Sequence, residues 1–353
     1  MRKEIEIAGR KIGEGHPCFI IAEMSANHAG SLEHAKEIIW AAKEAGADCI
    51  KIQTYTADTI TMDCDNEYFR IKSGPWQKDN TLYELYGKAN TPWEWHKELM
   101  EEAKKANIDF FSTPFDKSAV DFLEELGVEF YKIASPEMVD IPLIEYVASK
   151  GKPIIMSTGM ANIGEIEIAV NAVKKQGNDQ LALLRCATAY PAITEQMNLA
   201  TLKNMAEVFH LPVGLSDHSQ GSIGAVAAVL LGGSIIEKHF CISREIESPD
   251  SFFSMNKEEF AAMVQDIRQA EKARGQIQYG PMKQEEANLI NRKSIFCSAP
   301  IKKGECFTEE NIRVIRPGYG LEPKYYDRII GSKALCDIDF GTPIAFGMFG
   351  EKR

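Results

Sequence analysis

Short apolar runs alternate with amphipathic stretches along roughly the first 270 residues of the chain. A run of four to six apolar residues is typical of a buried parallel strand, and an apolar residue every three or four positions indicates a helix that packs on it. Eight such runs predict strands at Cys18–Ala22, Cys49–Gln53, Asp109–Ser112, Phe130–Ile133, Pro153–Ser157, Ala182–Cys186, Pro212–Leu215 and Ser234–Lys238.

The stretches between these runs carry helix patterns such as HAKEIIWAAKEAG and PWEWHKELMEEAKKAN. Several begin with Ser, Thr or Asp and end with Gly or Asn, which are common helix boundaries. Eight parallel strands is the number that closes a barrel, and no Gly-rich dinucleotide loop follows the first strand, as an open doubly wound sheet would favour. The pattern therefore predicts an α/β protein with a (β/α)8 TIM barrel.

The texture of the sequence changes after Lys272, which predicts three regions. Residues 1–272 form the barrel, the polar and aperiodic residues 273–293 form a linker, and residues 294–353 form a small β-rich domain with frequent Gly and Pro. Within the barrel, the segment Tyr55–Asn90 is long for a connection after a strand. Loops of this length at the C-terminal ends of barrel strands are usually functional.

Composition excludes several classes of protein. Of 353 residues, 44% are hydrophobic and 26% charged, as in an ordinary globular protein, and 51 acidic against 40 basic side chains argue against a nucleic-acid partner. No stretch approaches the ~20 apolar residues of a membrane span, and charges stand where a secretory signal would need its apolar core. The eight cysteines lack CxxC spacing, so we expect reduced core thiols at Cys18, Cys49 and Cys186 in a cytoplasmic protein.

Polar residues interrupt the apolar strands at positions of one parity. A barrel directs one parity inward, and barrel active sites lie at the C-terminal mouth, so we expect these side chains to converge there. They are Lys51, Gln53 and Tyr55, then Lys132, then Ser216 with His218, and Glu237 with His239.

Two inward lysines indicate an anion site. A lone lysine near a strand end is often a solvated rim residue, but Lys51 and Lys132 together would be costly to bury without an anionic ligand. Hydroxyl residues recur at neighbouring strand ends and could cradle a phosphate, although each alone is also a common helix N-cap. They are Ser112, Thr113, Ser135, Ser157 and Thr158.

His218 and His239 end neighbouring predicted strands and could hold a divalent metal, with water and ligand oxygens at the open positions. The alternative is a pair of hydrogen-bonded histidines near a pocket. A structural zinc site is disfavoured, because four Cys/His ligands do not gather in the sequence. The remaining histidines considered fall on helices or loops, and we predict them at the surface: His16, His34, His96 and His210.

A set of ordered motifs gives the chain a family resemblance. IAEMSANHAG, GADCIKIQTYT, FFSTPFD, YKIAS, IMSTGM, RCATAYPA, GLSDHS and EKHF follow the order and spacing of the sialic acid synthase family. The tail with RPGYGL resembles that family's C-terminal SAF, or antifreeze-like, domain, so the resemblance covers essentially the whole chain. AEMSANH, YTADTITMDC and TLYELY with TPWEWHKEL look most like the members that form pseudaminic acid.

The resemblance implies a cytoplasmic transferase of sialic acid biosynthesis. Its reaction would condense phosphoenolpyruvate and water with 2,4-diacetamido-2,4,6-trideoxy-L-altrose, giving pseudaminic acid, a nonulosonic acid used in flagellin glycosylation, and phosphate. It also implies a divalent metal, typically Mn²⁺ with Mg²⁺ or Co²⁺ as alternatives, and a domain-swapped homodimer. The alternative within the family is an N-acetylneuraminate or legionaminate synthase that uses another N-acetylated hexose.

The resemblance also assigns roles residue by residue. Metal ligands match His218 and His239, and the carboxylate beside the reacting carbon matches Glu23. The contacts to phosphoenolpyruvate match Lys51, Thr113, Lys132, Ser135, Ser157 and Ser216, and positions that line the sugar pocket match Gln53, Glu137, Tyr190 and Asp250. Arg316 matches an arginine that the partner subunit's SAF domain lends to the sugar site.

Two departures and two rival hypotheses accompany this assignment. SPDSFFS replaces the more usual Gly-Pro-Asp around Asp250, and CATAYP lacks an Asn typical of neuraminate synthases, which fits a different sugar. Lys51 or Lys132 could instead form a Schiff base, as in class I barrel aldolases. A third hypothesis is a non-catalytic sugar- or ice-binding protein built around the tail.

Overall fold

The computed structural model describes residues 4–351. The first three residues of the predicted range 1–272 and the last two of the range 294–353 lie outside that description. The chain divides into two compact units between Gly275 and Gln276, a position inside the predicted linker.

In residues 4–351 the chain forms twelve strands and eleven α-helices. The strands are β1 (Glu4–Ile7), β2 (Arg10–Gly13), β3 (Phe19–Glu23), β4 (Cys49–Thr54), β5 (Asp109–Pro114), β6 (Tyr131–Ile133), β7 (Ile154–Ser157), β8 (Leu181–Cys186), β9 (Val213–Asp217), β10 (Ile235–His239), β11 (Ser294–Cys297) and β12 (Ile312–Ile315). The helices are α1 (Leu32–Glu44), α2 (Ala57–Ile60), α3 (Leu82–Ala89), α4 (His96–Ala106), α5 (Lys117–Leu126), α6 (Ile141–Ser149), α7 (Ile163–Lys175), α8 (Thr201–Phe209), α9 (Ile223–Leu230), α10 (Lys257–Arg274) and α11 (Tyr326–Ile329).

Strands β3 to β10 close a parallel barrel, in which β10 pairs with both β9 and β3. The predicted (β/α)8 barrel is therefore confirmed, and the ends of all eight predicted strands lie within two residues of the observed ones. In the β10–β3 register, His239 is opposite Glu23, and Glu237 is opposite Ile21. This register brings the C-terminal ends of the first and last barrel strands together.

Side-chain parity separates two apolar layers of the barrel. Ile50 and Ile52 of β4 point outward into the core beneath the helices, whereas Cys49 joins an inner cluster with Phe111 and Phe130. Because parity alternates along a strand, Lys51 and Gln53 follow Cys49 on the inner side. The apolar residues thus fill the N-terminal half of the barrel, and the polar residues occupy the mouth.

A β-hairpin that the sequence analysis did not predict covers the N-terminal end of the barrel. Strands β1 and β2 pair antiparallel, and Ile5, Ile7 and Ile12 join the inner apolar cluster. The turn places Ala8 and Gly9 at φ of 48° and 74°, the left-handed pair that suits a two-residue hairpin. Alternating apolar residues in IEIAGRKIG were the available signal.

The long segment after β4 contains local structure of its own. It includes α2, α3 and an isolated bridge between Arg70 and Thr81. Thr81 caps α3, since its side chain accepts the backbone N–H of Glu84. The segment is therefore an ordered arm rather than an extended loop.

The second unit is built from short β elements, as its Gly- and Pro-rich sequence predicts. Strands β11 and β12 pair antiparallel, and isolated bridges add further short pairings. Its apolar core consists of Ile295, Cys297, Ile301, Phe307, Ile312, Ile329, Ala334, Ile338 and Ile344.

His96 corrects one prediction. It was expected at the surface, but its side chain is fully buried at the start of α4, where Nε2 lies 2.8 Å from the Thr54 hydroxyl. Positions 96, 99, 103 and 106 form the buried stripe of this helix, so helical spacing outweighed residue type. Cys18, Cys49 and Cys186 are free and buried, as expected. Among residues 4–351, no helix is both long and apolar enough to cross a lipid bilayer.

Candidate active site

The floor of the barrel mouth is a buried cluster of two lysines and two glutamates. Lys51 Nζ lies 2.8 Å from Glu23 Oε2 and 3.4 Å from Glu237 Oε2. Lys132 Nζ lies 3.5 Å from Glu237 Oε1. All four residues are at most 5% exposed, and their formal charges balance.

Glu237 is the member of this cluster that sequence reasoning left without a role. Its place on the inward parity of β10 was visible in IEKHF, but its position between two lysines depends on strand register across the barrel. Ser216 donates a 3.0 Å hydrogen bond to Glu237 Oε1. The lysines were expected to require an anionic ligand, whereas the protein already supplies two carboxylates.

The charges in this cluster shift one another's protonation. Burial alone would raise the pKa of Glu237, but Lys132 and Lys51 lower it to about 2. Burial raises the pKa of Glu23 despite its contact with Lys51. For Lys132, burial outweighs the attraction of Glu237 and lowers the pKa. Glu237 is therefore held ionised, and of the two carboxyls in this cluster Glu23 is the one that takes up a proton more readily.

Hydroxyl groups from neighbouring strands surround the two lysines. Lys132 Nζ donates to Ser157 Oγ at 2.7 Å, and Lys51 Nζ donates to Thr113 Oγ1 at 3.4 Å. Ser135 Oγ accepts the backbone N–H of Gly159 at 3.1 Å. A side chain at Gly159 would collide with Ser135, because an added Cβ would come within 2.6 Å of its hydroxyl. Lysine and hydroxyl donors thus line one small region.

His218 and His239 lie next to each other at the mouth, with ring centroids 5.3 Å apart. His218 Nδ1 is 3.0 Å from the Ala187 carbonyl oxygen, to which it donates. In a neutral ring this bond leaves the lone pair on Nε2. Burial lowers the pKa of His239 well below its usual range, so this ring is neutral at pH 7.

Cys186 lies behind this pair, with its Sγ 3.7 Å from His218 Nδ1. Burial opposes ionisation of the thiol, but His218 and neighbouring polar groups lower its pKa to about 7. In turn, burial lowers the pKa of His218, and the contacts with Cys186 and Ala187 raise it above its ordinary value. The Cys186 thiol therefore makes a polar contact with His218 and is not a purely apolar core residue.

The histidine pair fits a divalent metal with an open coordination sphere. His239 Nδ1 is buried without a hydrogen-bond partner, which is the condition of a ring nitrogen available to a ligand. Across residues 4–351, no three or more His, Cys, Asp or Glu side chains gather in a way that could hold an ion. Two imidazoles plus water or substrate oxygens is thus the donor set that the residues offer.

Aromatic rings form a wall beside the histidines. The Tyr190 ring lies 4.3 Å from the His218 ring, and Phe253 lies 4.7 Å from His239. Trp76, carried by the arm after β4, packs edge-on at 5.4 Å against Tyr190. Its indole N–H donates to the Pro249 carbonyl at 2.9 Å, which fixes the arm to the segment after β10.

A second polar cluster lies at the junction of the first and last barrel strands. Asp250 is buried and accepts a 2.5 Å hydrogen bond from the Ser25 hydroxyl. Gln53 Nε2 donates to Ser25 Oγ at 3.1 Å and to Glu23 Oε1 at 3.2 Å. Asp250 Oδ2 is also 3.9 Å from His239 Nδ1. Ser25 was not among the predicted site residues.

Glu137 lies after β6 in the short 3-10 segment Pro136–Val139. Its Oε2 atom is buried without a hydrogen-bond partner, and burial raises the pKa of the carboxyl to about 7. Lys132 opposes this shift only partly. A carboxyl in this state exists in both protonation forms near neutral pH.

Arg316 belongs to the second unit, immediately after β12, and is exposed. It therefore differs from the other predicted site residues, which all lie on the barrel unit. There the structure brings Glu23, Lys51 and Gln53 together with the histidine pair through the neighbouring ends of β3, β4, β9 and β10.

Comparison with known proteins finds matches over most of the chain. The NeuB family matches residues 38–279, and the SAF domain matches residues 292–350. The chain is 48% identical to a pseudaminic acid synthase of Campylobacter jejuni, over 92% of this chain and 95% of that protein. It is 43% identical to a pseudaminic acid synthase of Helicobacter pylori, over 93% and 97% of the two chains. A solved N-acetylneuraminic acid synthetase from Leptospira borgpetersenii has a TM-score of 0.72 at 34% identity, covering 82% of this chain and 96% of that one.

Proposed function

This chain belongs to the NeuB family, as its ordered motifs indicated, and we propose that it is a pseudaminic acid synthase. The reaction would join phosphoenolpyruvate and water to 2,4-diacetamido-2,4,6-trideoxy-L-altrose and release phosphate. Its similarity to pseudaminic acid synthases from two organisms, over more than nine-tenths of each chain, supports this sugar over the N-acetylneuraminate or legionaminate alternatives.

The observation that carries the proposal is the adjacency of a lysine-lined floor and a histidine pair. Lys51 contacts Glu23, and Glu23 is opposite His239 in the strand register. An anion bound to the lysines would therefore lie beside a second ligand whose polar group is bound near the histidines. This arrangement suits a reaction between a phosphate ester and a carbonyl compound held side by side.

Phosphoenolpyruvate would bind at the lysine-lined floor. Its carboxylate and phosphate would accept hydrogen bonds from Lys51 and Lys132 and from the hydroxyls of Thr113, Ser135, Ser157 and Ser216. Because Glu23 and Glu237 already balance the lysines, the ligand adds net negative charge to a buried site. The multiple hydroxyl and backbone N–H donors would compensate for part of this cost.

His218 and His239 would hold a divalent ion, for which we propose Mn²⁺ with Mg²⁺ or Co²⁺ as alternatives. When bound, such an ion polarises a carbonyl oxygen as a Lewis acid. The chain's own contribution is to keep the rings oriented. Ala187 fixes the tautomer of His218, and burial keeps His239 neutral.

The remaining steps depend on Glu23 as a proton acceptor and on the positioning of the two reactants. The methylene carbon of phosphoenolpyruvate forms a bond to the aldehyde carbon of the open-chain sugar, and the aldehyde oxygen takes up a proton from solvent. Water then adds to the cationic enol carbon and loses a proton, for which Glu23 is the proposed acceptor. The resulting tetrahedral carbon expels phosphate by cleavage of its C–O bond, and its hydroxyl proton leaves with the phosphate, so that the keto group of the product remains. Holding both reactants in place supplies several kcal/mol, about 7–11 at the favourable limit.

The sugar would lie between the histidine pair, Glu137, Gln53 and Asp250, with Tyr190 as an aromatic wall. A 6-deoxy sugar presents a methyl group and two acetamido methyl groups, which favour contact with aromatic rings. Trp76 enlarges that wall through its contact with Tyr190. This apolar surface supports a trideoxy diacetamido sugar as substrate.

Release of inorganic phosphate from phosphoenolpyruvate tests the proposal. The purified protein is incubated with a panel of the diacetamido altrose, its legionaminate-type isomer and N-acetylmannosamine, after EDTA treatment and with or without added Mn²⁺. We expect stoichiometric phosphate release with the altrose sugar, restored by Mn²⁺. Faster turnover of another sugar would favour the corresponding alternative synthase, and no release with any sugar would refute the proposal.

A Schiff-base aldolase is the rival mechanism, and Lys132 is its better candidate. Burial lowers the pKa of Lys132, whereas two carboxylates raise the pKa of Lys51 against the effect of its burial. Borohydride reduction in the presence of pyruvate would trap a covalent adduct on an aldolase lysine. An adduct at Lys132 with activity unaffected by EDTA would replace the synthase mechanism.

We propose that the chain acts as a domain-swapped homodimer in which Arg316 enters the partner's sugar site. Mixing two inactive variants, R316A and K132A, tests this across protomers. In a swapped dimer, one site of each heterodimer combines an intact barrel with an intact Arg316, so about a quarter of wild-type activity returns at statistical mixing. No recovery after proven subunit exchange would exclude the swap.

We place the reaction in the cytoplasm, where phosphoenolpyruvate is available. The free buried thiols at Cys18, Cys49 and Cys186 fit a reducing compartment. The product is an acidic nine-carbon sugar, and flagellin glycosylation is its proposed use. Fractionation of cells and analysis of flagellin glycans in a deletion strain would check both statements.

A further inference from the structure

Ser25 has an unusual backbone for its residue type. Its φ is 46°, in the left-handed region that glycine adopts freely and other L-residues adopt with steric conflict. The residue lies two positions after the end of β3, begins the 3-10 segment Ser25–His28 and is 4% exposed. Buried conformations of this kind persist where surrounding contacts hold them, and they cluster at functional sites.

The Ser25 hydroxyl joins two groups of the sugar end of the site. It donates to Asp250 Oδ2 at 2.5 Å and accepts from Gln53 Nε2 at 3.1 Å. The same Gln53 amide nitrogen donates to Glu23 Oε1 at 3.2 Å. The Ser25 hydroxyl therefore connects Asp250, in the segment after β10, with Gln53 of β4 and, through Gln53, with Glu23 of β3.

Asp250 depends on this hydroxyl for its orientation. Its Oδ2 atom receives the short bond from Ser25 and a longer one, 3.4 Å, from the Ala26 backbone N–H. The left-handed turn at Ser25 is what aims the hydroxyl and the following N–H at one carboxylate oxygen. A glycine here would permit the same turn but could not supply the hydroxyl.

We propose that Ser25 is a positioning residue for the acetamido sugar, because its hydroxyl fixes the Asp250 carboxylate and the Gln53 amide in their sugar-binding orientation. The proposal rests on the proposed function. It assigns Ser25 no contact with the reacting atoms, and the backbone conflict is the cost of placing a hydroxyl at a position that suits glycine.

Two substitutions separate the hydroxyl from the backbone conflict. S25A and S25G both remove the hydroxyl, but only S25G removes the conflict. We expect both variants to raise the KM for the sugar about ten-fold, as for loss of a hydrogen bond to a charged group. The KM for phosphoenolpyruvate should stay within about two-fold of wild type. The melting temperature of S25G should exceed that of S25A by a few degrees, so stability and sugar KM follow different features.

Ala29 offers a matched control four residues along the chain. It also has a left-handed backbone, with φ of 50°, but it is exposed. A29G should raise the melting temperature and leave both KM values unchanged. A double variant, S25A/D250N, should have the sugar KM of D250N alone, because the hydroxyl acts through that carboxylate.

The outcomes distinguish this inference from the proposed function. A wild-type protein that releases no phosphate with any sugar overturns the proposed function and the inference together. A wild-type protein that turns over sugar, with a sugar KM in S25A within two-fold of wild type, overturns the role of Ser25 alone. Wild-type kinetics in S25G, or additive effects in the double variant, would also overturn it. If S25A does not fold, S25G and the double-variant comparison in the S25G background carry the same test.

Discussion

Replacing Glu237 with glutamine should lower the unfolding free energy of the barrel unit and increase the stabilisation that bound phosphoenolpyruvate gives it. Glu237 lies 3.4 Å from Lys51 Nζ and 3.5 Å from Lys132 Nζ, so E237Q leaves two buried lysines with one carboxylate, Glu23. The glutamine keeps the side chain's size and its ability to accept from Ser216. The change is therefore one of charge rather than of packing.

Two routes to the magnitude agree. Lys132 and Lys51 lower the pKa of Glu237 from 4.5 to about 2, against the opposing effect of burial. At 1.36 kcal/mol per pH unit, this difference is worth about 3 kcal/mol of unfolding free energy at pH 7. Removing one partner of a buried ion pair typically costs about 3–5 kcal/mol. We therefore expect E237Q to lose about 3 kcal/mol.

Tryptophan fluorescence during urea unfolding is the assay. The chain has four tryptophans, and all lie before residue 96, so the signal reports on the barrel unit alone. E33Q is the control, because the Glu33 side chain is 80% exposed in its pair with Lys36, and pairs at the surface contribute about 0–1 kcal/mol. Phosphoenolpyruvate should raise the unfolding midpoint of E237Q more than that of wild type, because it restores negative charge to the lysines.

Two results would refute this reasoning. E237Q could unfold at the same urea concentration as E33Q, which would mean that Glu237 does not balance the lysines. Alternatively, phosphoenolpyruvate could shift both proteins equally, which would mean that the ligand does not bind near the vacated charge.

Three further predictions concern pH and the aromatic wall. Burial raises the pKa of Glu137 to about 7, so the folded protein holds this proton more tightly than the unfolded chain does. The resulting stabilisation is present below pH 4.5 and is lost as the pH rises to 7. Between these pH values the unfolding free energy of E137Q, measured by urea titration, should therefore rise by about 3 kcal/mol relative to that of wild type. The pH dependence due to His96 runs in the opposite direction, because burial lowers its pKa to about 4. The unfolding free energy of wild type should fall by roughly 1.4 kcal/mol per pH unit from pH 6.5 to 4, and that of H96Q should fall less steeply. W76A should raise the sugar KM about ten-fold and leave the KM for phosphoenolpyruvate unchanged, while Y68A on the exposed part of the same arm should change neither. If the stability of E137Q or H96Q changes with pH in parallel with that of wild type, the corresponding prediction is wrong. Equal changes of the sugar KM in W76A and Y68A would contradict the third prediction.

The barrel and the inward polar layer could be predicted from sequence because both depend on local periodicity. Alternation along β4 was enough to place Lys51 and Gln53 inside and Ile52 outside. The strand starts were accurate because Gly, Pro or Asn lies at or shortly before each of them. The mouth of a parallel barrel then gathers the inward side chains at strand ends, whatever the detailed register.

What could not be predicted depends on contacts across the barrel. Glu237 was visible on the correct face, but its distance to two lysines on other strands is set by closure of the sheet. The left-handed turn at Ser25 leaves no mark in composition or spacing. His96 was a different failure: its signal was present in the spacing of α4, but it was judged by residue type.

The pairing of β10 with β3 has a consequence for how the protein is made. Roughly 200 residues separate these strands, and Glu23, His239 and Asp250 become neighbours only when they meet. At ribosomal rates of about 5–20 residues per second, the first strand waits roughly 10–40 s for its last partner to be synthesised. During this wait the N-terminal hairpin, β1 and β2, is already available to cover the apolar inner face of β3. Phosphoenolpyruvate and sugar could not bind in their final geometry to a nascent chain that lacks β10, so the catalytic pocket is completed by one of the last long-range contacts to form.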